Sequence, residues 1–560
     1  MTADELKRLI AAGETLEVEF KSGNLSDREL IEEIVCMANG KGGWLLLGVE
    51  DDGRITGPRR DRRRSFNRHH FAGMVAGRTQ PPLHVSVYLV EIDDVQVAAI
   101  KIPAGGGVYG TTDGKYLHRL PGAHGPECRP MQTQEIASRL SSLGNFDLSA
   151  QPVSGATWDD FDPLEWERLR RTIERNPGAD KNLLEDSNEQ VSLSLGLAAR
   201  QEDQLVPTIA GLLLLGKEDA LRAYIPTHEA AFQVTGVDLQ TRKNEFVREP
   251  LIRLFERFTQ FLSAFNPEEE FRAGLFRLDV PRYPPEAFRE ALANALAHRD
   301  YAKQNAIYIQ IDEEQQRLSV ISPGGFPAGV TPRNLLSIGP RPRNRTLADA
   351  LKRVGIVERR GRGVERIYRE VLRIGRPPPD YSKSGADEVR VDIYGGPADE
   401  AFLLLVATAQ DRAGRLLNSG ELLLLWYVRE FGELEVREAA HKIQQGEAEA
   451  RRMLKNLEGL GLIEAKGHTR NRTYHLSSWA AAALDEREKY ILRKGLEREK
   501  IKGHILEYAK EYGAVRRSNV LKLYPQLSKR QASYLLEELV REGQLEGRGR
   551  KGGKHYVLAR

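Results

Sequence analysis

The sequence predicts a multidomain chain of the α+β class. It expects an α/β domain at the N-terminus, an α/β sandwich in the middle, and two small modules of helices and paired strands at the C-terminus. Three observations carry that expectation. At 560 residues the chain is too long for one hydrophobic core and implies roughly three to five domains. Residues 14–57 read as strand, helix, strand and acidic turn. From Gly420 onward a pattern of helices closed by two strands around a basic turn is read twice.

Composition sets outer bounds. The 83 basic and 80 acidic residues leave a formal charge of only +3, so any surface for a polyanion must be local. Cys36 and Cys128 are the only cysteines, which argues against a disulfide framework or a zinc cluster and fits a reducing compartment. The start, MTADELKRLI, shows no signal-peptide pattern, and no apolar run reaches membrane-spanning length. The expectation is a cytoplasmic protein without a membrane partner.

In the first domain, expected over 1–143, Thr2 to Ala12 forms an amphipathic helix. Leu16, Val18 and Phe20 alternate with Glu17, Glu19 and Lys21, the period-two signature of a strand flanked by Glu14 and Glu19. Asp27 to Asn39 carries Leu30, Ile31, Ile34, Val35 and Ala38 at helical spacing and stops at Asn39-Gly40. Trp44 to Val49 is a buried strand entering the acidic turn Glu50, Asp51, Asp52. Beyond it Arg59, Arg60, Arg62, Arg63, Arg64 and Arg68 crowd one stretch. So dense an arginine cluster has the footprint of phosphate-backbone contact. Leu83 to Val90 and Val95 to Ile102 add two strands.

A polar linker, Gly144 to Gly155, leads into the middle domain, expected over 156–396. Pro207 to Gly216 is a buried apolar piece, Ala230 to Gly236 a strand, and Pro267 to Glu270 a solvated helix start. In the helix opening at Pro284, Phe288, Leu292 and Ala295 form the packing face. Glu290 and Asn294 stand four apart and share another face. An amide oxygen is a hard neutral metal ligand and a carboxylate can polarise water, so the pair suits a magnesium nucleotide. Ala306 to Ile311 and Arg317 to Ile321 form a hairpin ending at Ser322 to Pro327, which includes Gly324 and Gly325. Gly361 and Gly363 lie in a turn before a helix beginning near Val364, where open N–H groups and a helix N-terminus can receive phosphate without a lysine loop.

After a closing strand, Glu388 to Tyr394, and a linker, Glu400 to Ala413 is helical. The first repeat (400–480) places helices at Leu422–Glu430, after Glu435 and at Glu447–Leu460. The second (495–560) places them at Ile501–Tyr512, Ser518–Leu523 and Ser528–Glu542. Both have the layout of a winged helix, whose third helix enters the major groove while a basic wing meets the backbone. In the second copy Lys529, Arg530, Gln531 and Ser533 crowd the presumed recognition helix, and Arg548, Arg550, Lys551 and Lys554 form the wing.

From Glu14 to Gly57 the motifs E-x(4)-EFK, A-N-x-x-GG and L-x-GV-x-D-D-G-x-I-x-G occur in order, followed by KYLHRLPGA around Arg119. This run resembles the Schlafen-type AlbA-like domain. The resemblance implies a divalent-metal nuclease that cuts structured RNA with Glu14, Glu19 and an acid of the turn, Asp51 being the choice, while Lys21 steadies the phosphate. It equally admits a plain nucleic-acid binder, for which Arg62, Arg63, Arg64 and Arg119 are the contacts. Likewise E-A-L-A-N, S-P-G-G and G-R-G-V-E-R-I together resemble the GHKL ATPases, in the divergent branch of bacterial proteins that carry a Schlafen-type domain ahead of it. That implies Glu290 as general base, Asn294 as ligand of Mg²⁺ (or Mn²⁺), Gly361 and Gly363 in a lid over ATP, and nucleotide-dependent dimerisation. The usual DxGxG box, whose Asp reads the adenine amine, is replaced by Ser322, Pro323, Gly324 and Gly325.

Two functions follow. One is an ATP-responsive, metal-dependent endonuclease acting on RNA, with antiphage defence as the family context. The other is a nucleotide-sensing, DNA-binding transcriptional regulator without nuclease activity, for which Arg530, Arg548 and Lys551 are the DNA contacts.

Overall fold

The computed structural model describes the chain apart from residues 59–65, 105, 124, 274–275, 358–362, 398, 468–471, 485–500, 525–526, 528, 550–553 and 560. Helices α1 (Ala3–Ala12) and α2 (Asp27–Asn39) each open on a capping box, Thr2 with Glu5 and Ser26 with Glu29. The hydroxyl and the carboxylate accept orphan N–H groups reciprocally, which fixes both starts locally. Strand β1 (Val18–Lys21) runs parallel to β2 (Gly43–Leu47), with Val18 opposite Trp44. After α3 (Arg68–Arg78), strands β3 (Ser86–Ile92) and β4 (Val95–Ile102) complete a sheet of order β1-β2-β4-β3. One face packs Leu45, Leu47, Ala98 and Ile100 against α2 and α3, and the other packs Leu46, Val97 and Ala99 against Leu6 of α1. Burial on both faces is why β2 reads as an unbroken apolar run. At its start a Cβ on Gly43 would sit 1.9 Å from the Glu17 carbonyl oxygen, so only glycine fits that crossing.

A hairpin, β5 (Leu117–Gly122) with β6 (Gly125–Pro130), leads to α4 (Thr133–Ser142). Here the composition-based expectation for the cysteines is corrected. Cys36 in α2 and Cys128 in β6 are joined by a disulfide, Cα–Cα 5.9 Å across 92 residues of sequence. Packing the hairpin on α2 brings them together, and a cysteine count does not contain that packing.

The middle sheet comprises β7 (Ala230–Thr235), β8 (Thr241–Val247), β9 (Ile307–Asp312), β10 (Arg317–Pro323) and β11 (Glu388–Tyr394) in the order β8-β7-β9-β10-β11. Only β7 and β9 are parallel. Around it lie α5 (Pro163–Arg175), α6 (Leu251–Ala264), α7 (Pro285–His298), α8 (Arg345–Val354) and α9 (Gly363–Leu372). Phe288, Leu292 and Leu296 of α7 are fully buried. The acidic run expected to open a helix is instead a strand, Glu268–Ala273, antiparallel to Phe276–Pro281. Cross-strand pairing supplies the backbone partners there, and Pro267 lies just ahead of the strand.

Helix α10 (Glu400–Ala413) precedes α11 (Ser419–Phe431), β12 (Leu434–Glu435), α12 (Val436–Lys442), α13 (Glu447–Gly459), β13 (Ile463–Lys466) and β14 (Thr473–Leu476), with sheet order β12-β14-β13. Next comes a helix over 501–512, then α14 (Arg517–Leu523), α15 (Lys529–Arg541) and the pair β15 (Leu545–Arg548) and β16 (His555–Leu558). One continuous apolar core runs from Ala156 to Leu484, while 501–558 packs around its own. The linker near 395–399 therefore separates elements of chain and not cores. Among the described residues, no helix is long and apolar enough to cross a membrane.

Candidate functional site

At the N-terminal sheet, β1 and the turn after β2 bring Glu19, Lys21 and Asp51 within electrostatic range of Glu14. Glu14 tucks its carboxylate back so that Oε1 accepts the Phe20 N–H at 2.9 Å. Desolvation there raises its pKa, the Phe20 bond opposes that, and the charges of Glu19 and Asp51 push it further up. Glu19 is 5 % exposed and is held by ion pairs to Arg119 and, at 2.5 Å, to Lys21. Lys21 also meets Glu33 at 3.3 Å. Asp51 is exposed in the turn, beside an Asp52–Arg54 pair at 2.6 Å.

Several expectations change on this geometry. Arg119 does not face a nucleic-acid backbone: it is 5 % exposed, and its guanidinium holds Glu19 and donates to the Thr15 carbonyl at 3.0 and 3.2 Å. It clamps β1 from within. Lys21 is engaged with two glutamates and not free for phosphate. Among the described residues the only three-ligand cluster within metal-binding reach is Glu33, Cys36 and Cys128, and its sulfurs are bonded to each other. Glu14, Glu19 and Asp51 are neighbours without converging on one point. Arg62, Arg63, Arg64, Gly361 and Lys551 lie outside the described residues. Arg530 falls in the first turn of α15, and Arg548, at the end of β15, pairs with Glu546 at 3.1 Å.

The second site is a cavity of about 510 Å³ in the middle unit. Glu290, Asn294 and His298 project into it from α7, at i, i+4 and i+8 on one helix face. Gly324 and Gly325 after β10, and Arg345, Asp349 and Lys352 from one face of α8, form other walls. Glu290 is 5 % exposed, and a Cβ on Gly363 would lie 1.9 Å from its Oε1. The start of α9 thus rests on that carboxylate, where the helix dipole favours negative charge. Residues separated by the whole hairpin are brought into contact. Ser322, standing where the adenine-reading Asp is expected, is 6 % exposed and donates its hydroxyl to the Ala295 carbonyl at 2.9 Å. That bond ties β10 to α7 and leaves no carboxylate at that point. His298 is held neutral: burial, with the Arg343 charge adding, lowers its pKa to about 4.

His298, Arg345, Asp349 and Lys352 were not singled out from the sequence. His298 continues the Glu290–Asn294 stripe by one more helical turn, a signal that was legible. The α8 residues were less so, because nothing local says which side of an amphipathic helix meets a cavity.

Between the two sites lies α4. Arg139 donates to the carbonyls of Asn39 and, at 3.4 Å, Ala38 at the end of α2. Ser138 donates to Asp300, two residues beyond α7, and Arg343 meets Asp300 at 3.4 Å, the Ser138 carbonyl at 3.2 Å and the Gly325 carbonyl at 2.8 Å. Asn39 in turn holds the backbone of Tyr109 and the Leu117 carbonyl.

Three family models match. Residues 14–127 match "Schlafen, AlbA_2", residues 307–393 match "Putative ATP-dependent DNA helicase recG C-terminal", and residues 139–231 match a domain of unknown function. No curated protein matches. Among solved structures, the DIP2311 protein of Corynebacterium diphtheriae is similar in fold, with a TM-score of 0.51 at 23% identity over 86% of this chain and 98% of that one. The chain joins a Schlafen/AlbA-type domain at its N-terminus to an ATPase-like domain of the recG C-terminal type.

Proposed function

We propose that the protein is an ATP-responsive nucleic-acid-binding protein in which occupancy of the central cavity is felt at the N-terminal domain. The observation that carries this reading is the placement of Glu290 and Asn294 on one cavity wall, with the start of α9 closing on Glu290. A hard amide oxygen, a carboxylate and a helix N-terminus are the donor set a magnesium-bound triphosphate calls for, so these residues fit ATP with Mg²⁺ or Mn²⁺. Bound there, the metal would neutralise phosphate charge. Asn294 would orient it, Glu290 would hold a water as general base, and Gly363 would leave the backbone open to phosphate oxygens. Calorimetry with ATP and Mg²⁺ tests the reading directly: saturable heat is expected, lost in Asn294→Ala, and no heat with the intact chain removes it.

The finer reading is a metal-dependent endonuclease acting on RNA. It is supported by the grouping of Glu14, Glu19 and Asp51 and by the raised pKa of Glu14, and it requires Glu19 to leave Arg119. Incubation of the protein with Mn²⁺ and tRNA, other RNA or single-stranded DNA, beside the Glu14→Gln/Glu19→Gln variant, separates it from binding alone. Cutting by wild type and not by the variant is expected, and intact substrates in both lanes would leave binding without cleavage. The regulator reading draws on the two C-terminal modules, read as winged helices, in each of which a run of helices is followed by paired strands. On that reading duplex DNA binding survives loss of the carboxylates and falls in Arg530→Ala/Lys551→Ala.

A further inference from the structure

The connection from β10 to α8, residues 324–344, holds no helix or strand, yet it lines the cavity with Phe326, Val330, Leu335, Leu336 and Ile338. So long a stretch inside a packed unit needs partners for its backbone groups, and such connections mostly serve as binding loops or lids. Part of the need is met within the loop. The Asn334 side chain accepts the Thr331 N–H at 2.8 Å and donates to the Gly329 carbonyl at 2.8 Å. Other partners come from outside the cavity unit, and the Ala328 N–H donates to the Ser142 carbonyl of α4 at 3.0 Å.

Further along the loop, the Gln444 side chain holds two points at once. Its Oε1 accepts the Leu336 N–H and its Nε2 donates to the Pro332 carbonyl, each at 2.8 Å. Both bonds go to loop backbone, so they fix the course of the chain and not a single side chain. Gln444 belongs to the first C-terminal module, in the turn between α12 and α13, and its backbone stands at φ 58°. That left-handed conformation is costly for a residue with a Cβ and persists where the surroundings over-determine it. One amide thus joins the cavity wall, at buried Leu336, to the turn that enters α13 at Glu447.

Building on the nucleotide reading above, we propose that Gln444 is a positioning residue of the nucleotide cavity. It holds residues 332–336 as a wall and couples occupancy to the start of α13. Without the clamp the loop samples arrangements that do not form the wall, and apparent affinity falls with the fraction of molecules in which the wall is formed. With the clamp, a ligand settling against Leu336 restrains the Gln444 turn in the same act, and the coupling is reciprocal. On the regulator reading α13 is the helix that meets DNA, so the clamp stands between nucleotide and DNA.

Calorimetry with ATP and Mg²⁺, together with hydrogen exchange, tests this on the full-length chain in wild type, Gln444→Gly and Gln444→Glu. Glycine removes the amide and suits the left-handed turn, so the backbone of the module is not strained by the change. Glutamate, when ionised, keeps an acceptor for the Leu336 N–H but has no donor for the Pro332 carbonyl. ATP affinity is expected to fall about tenfold in both variants, the size of about one hydrogen bond. In wild type, ATP should slow exchange both at 332–338 and in the first turn of α13, and in Gln444→Gly the protection of α13 should vanish. A lowered melting temperature with unchanged ATP affinity would make Gln444 a brace of the fold alone and overturns the inference, as does protection of α13 that persists in Gln444→Gly. In either case wild-type heat shows that the nucleotide site itself stands. Absence of heat in wild type overturns the nucleotide reading and this inference together.

Discussion

Gly363 has no room for a side chain, because its Cβ would fall 1.9 Å from Glu290 Oε1. Gly363→Ala must therefore push α9 away or displace the carboxylate, an overpacking cost of roughly 1–3 kcal/mol. A lowered melting temperature and a weaker ATP isotherm are expected together, whereas Gly459→Ala, whose Cβ meets nothing within 4 Å, should lower neither. His228 sets a pH dependence. It is fully buried against the Glu249 carbonyl, 2.8 Å from Nε2, and burial lowers its pKa from 6.5 to about 4. As acid is added, the unfolded chain takes up this proton first. Stability is then complete above about 6.5 and is lost as pH falls toward 4, by up to roughly 3 kcal/mol. His298, shifted the same way, adds to the slope. Urea titrations between pH 7 and pH 4 should show that fall, and His228→Gln should flatten it; an unchanged slope would deny His228 the role.

Helix α4 is short, yet its two faces touch both units. Arg139 reaches the end of α2, and Ser138 reaches Asp300 behind α7. Truncating Arg139 to Ala leaves two buried carbonyls short of a donor, a loss of about 1–3 kcal/mol. Calorimetry should then resolve an earlier transition for the N-terminal unit, and hydrogen exchange near Asn39 should rise. Under the proposed function the same variant binds ATP normally but no longer transmits it to nucleic-acid affinity. A single coincident transition in Arg139→Ala would show that α4 does not join the units. The hairpin is pinned to α2 by Cys36–Cys128, which closes a loop of 92 residues. Cys128→Ser should lower unfolding free energy by up to about 4.6 kcal/mol on the chain-entropy account, and reductant should do the same to wild type and nothing to the variant.

For the molecule as a whole, the continuous core from Ala156 to Leu484 packs the cavity unit and the first C-terminal module together, and on the proposed function a displacement of α9 on Glu290 is expected to reach both. Nucleotide-dependent dimerisation is expected on the proposed function, and light scattering should register a doubled mass with ATP and Mg²⁺. A constant monomer mass would confine any gating to the route within one chain.

The sequence legibly encoded what depends on near neighbours. Capping boxes at Thr2 and Ser26, the two-residue alternation of β1, and the shared face of Glu290 and Asn294 all follow from helical or strand period alone. Motif order added the two domain types. Tertiary packing decided what joins distant segments: Arg119 turned inward onto Glu19, Cys36 bonded to Cys128, Glu290 under the start of α9, Asp300 against α4, and Gln444 on the loop that lines the cavity. Local periodicity states which face of an element is apolar, but which partner meets each polar side chain depends on the mutual placement of whole helices and sheets. That placement is set by burying apolar surface as a body, and no short stretch of residues contains it.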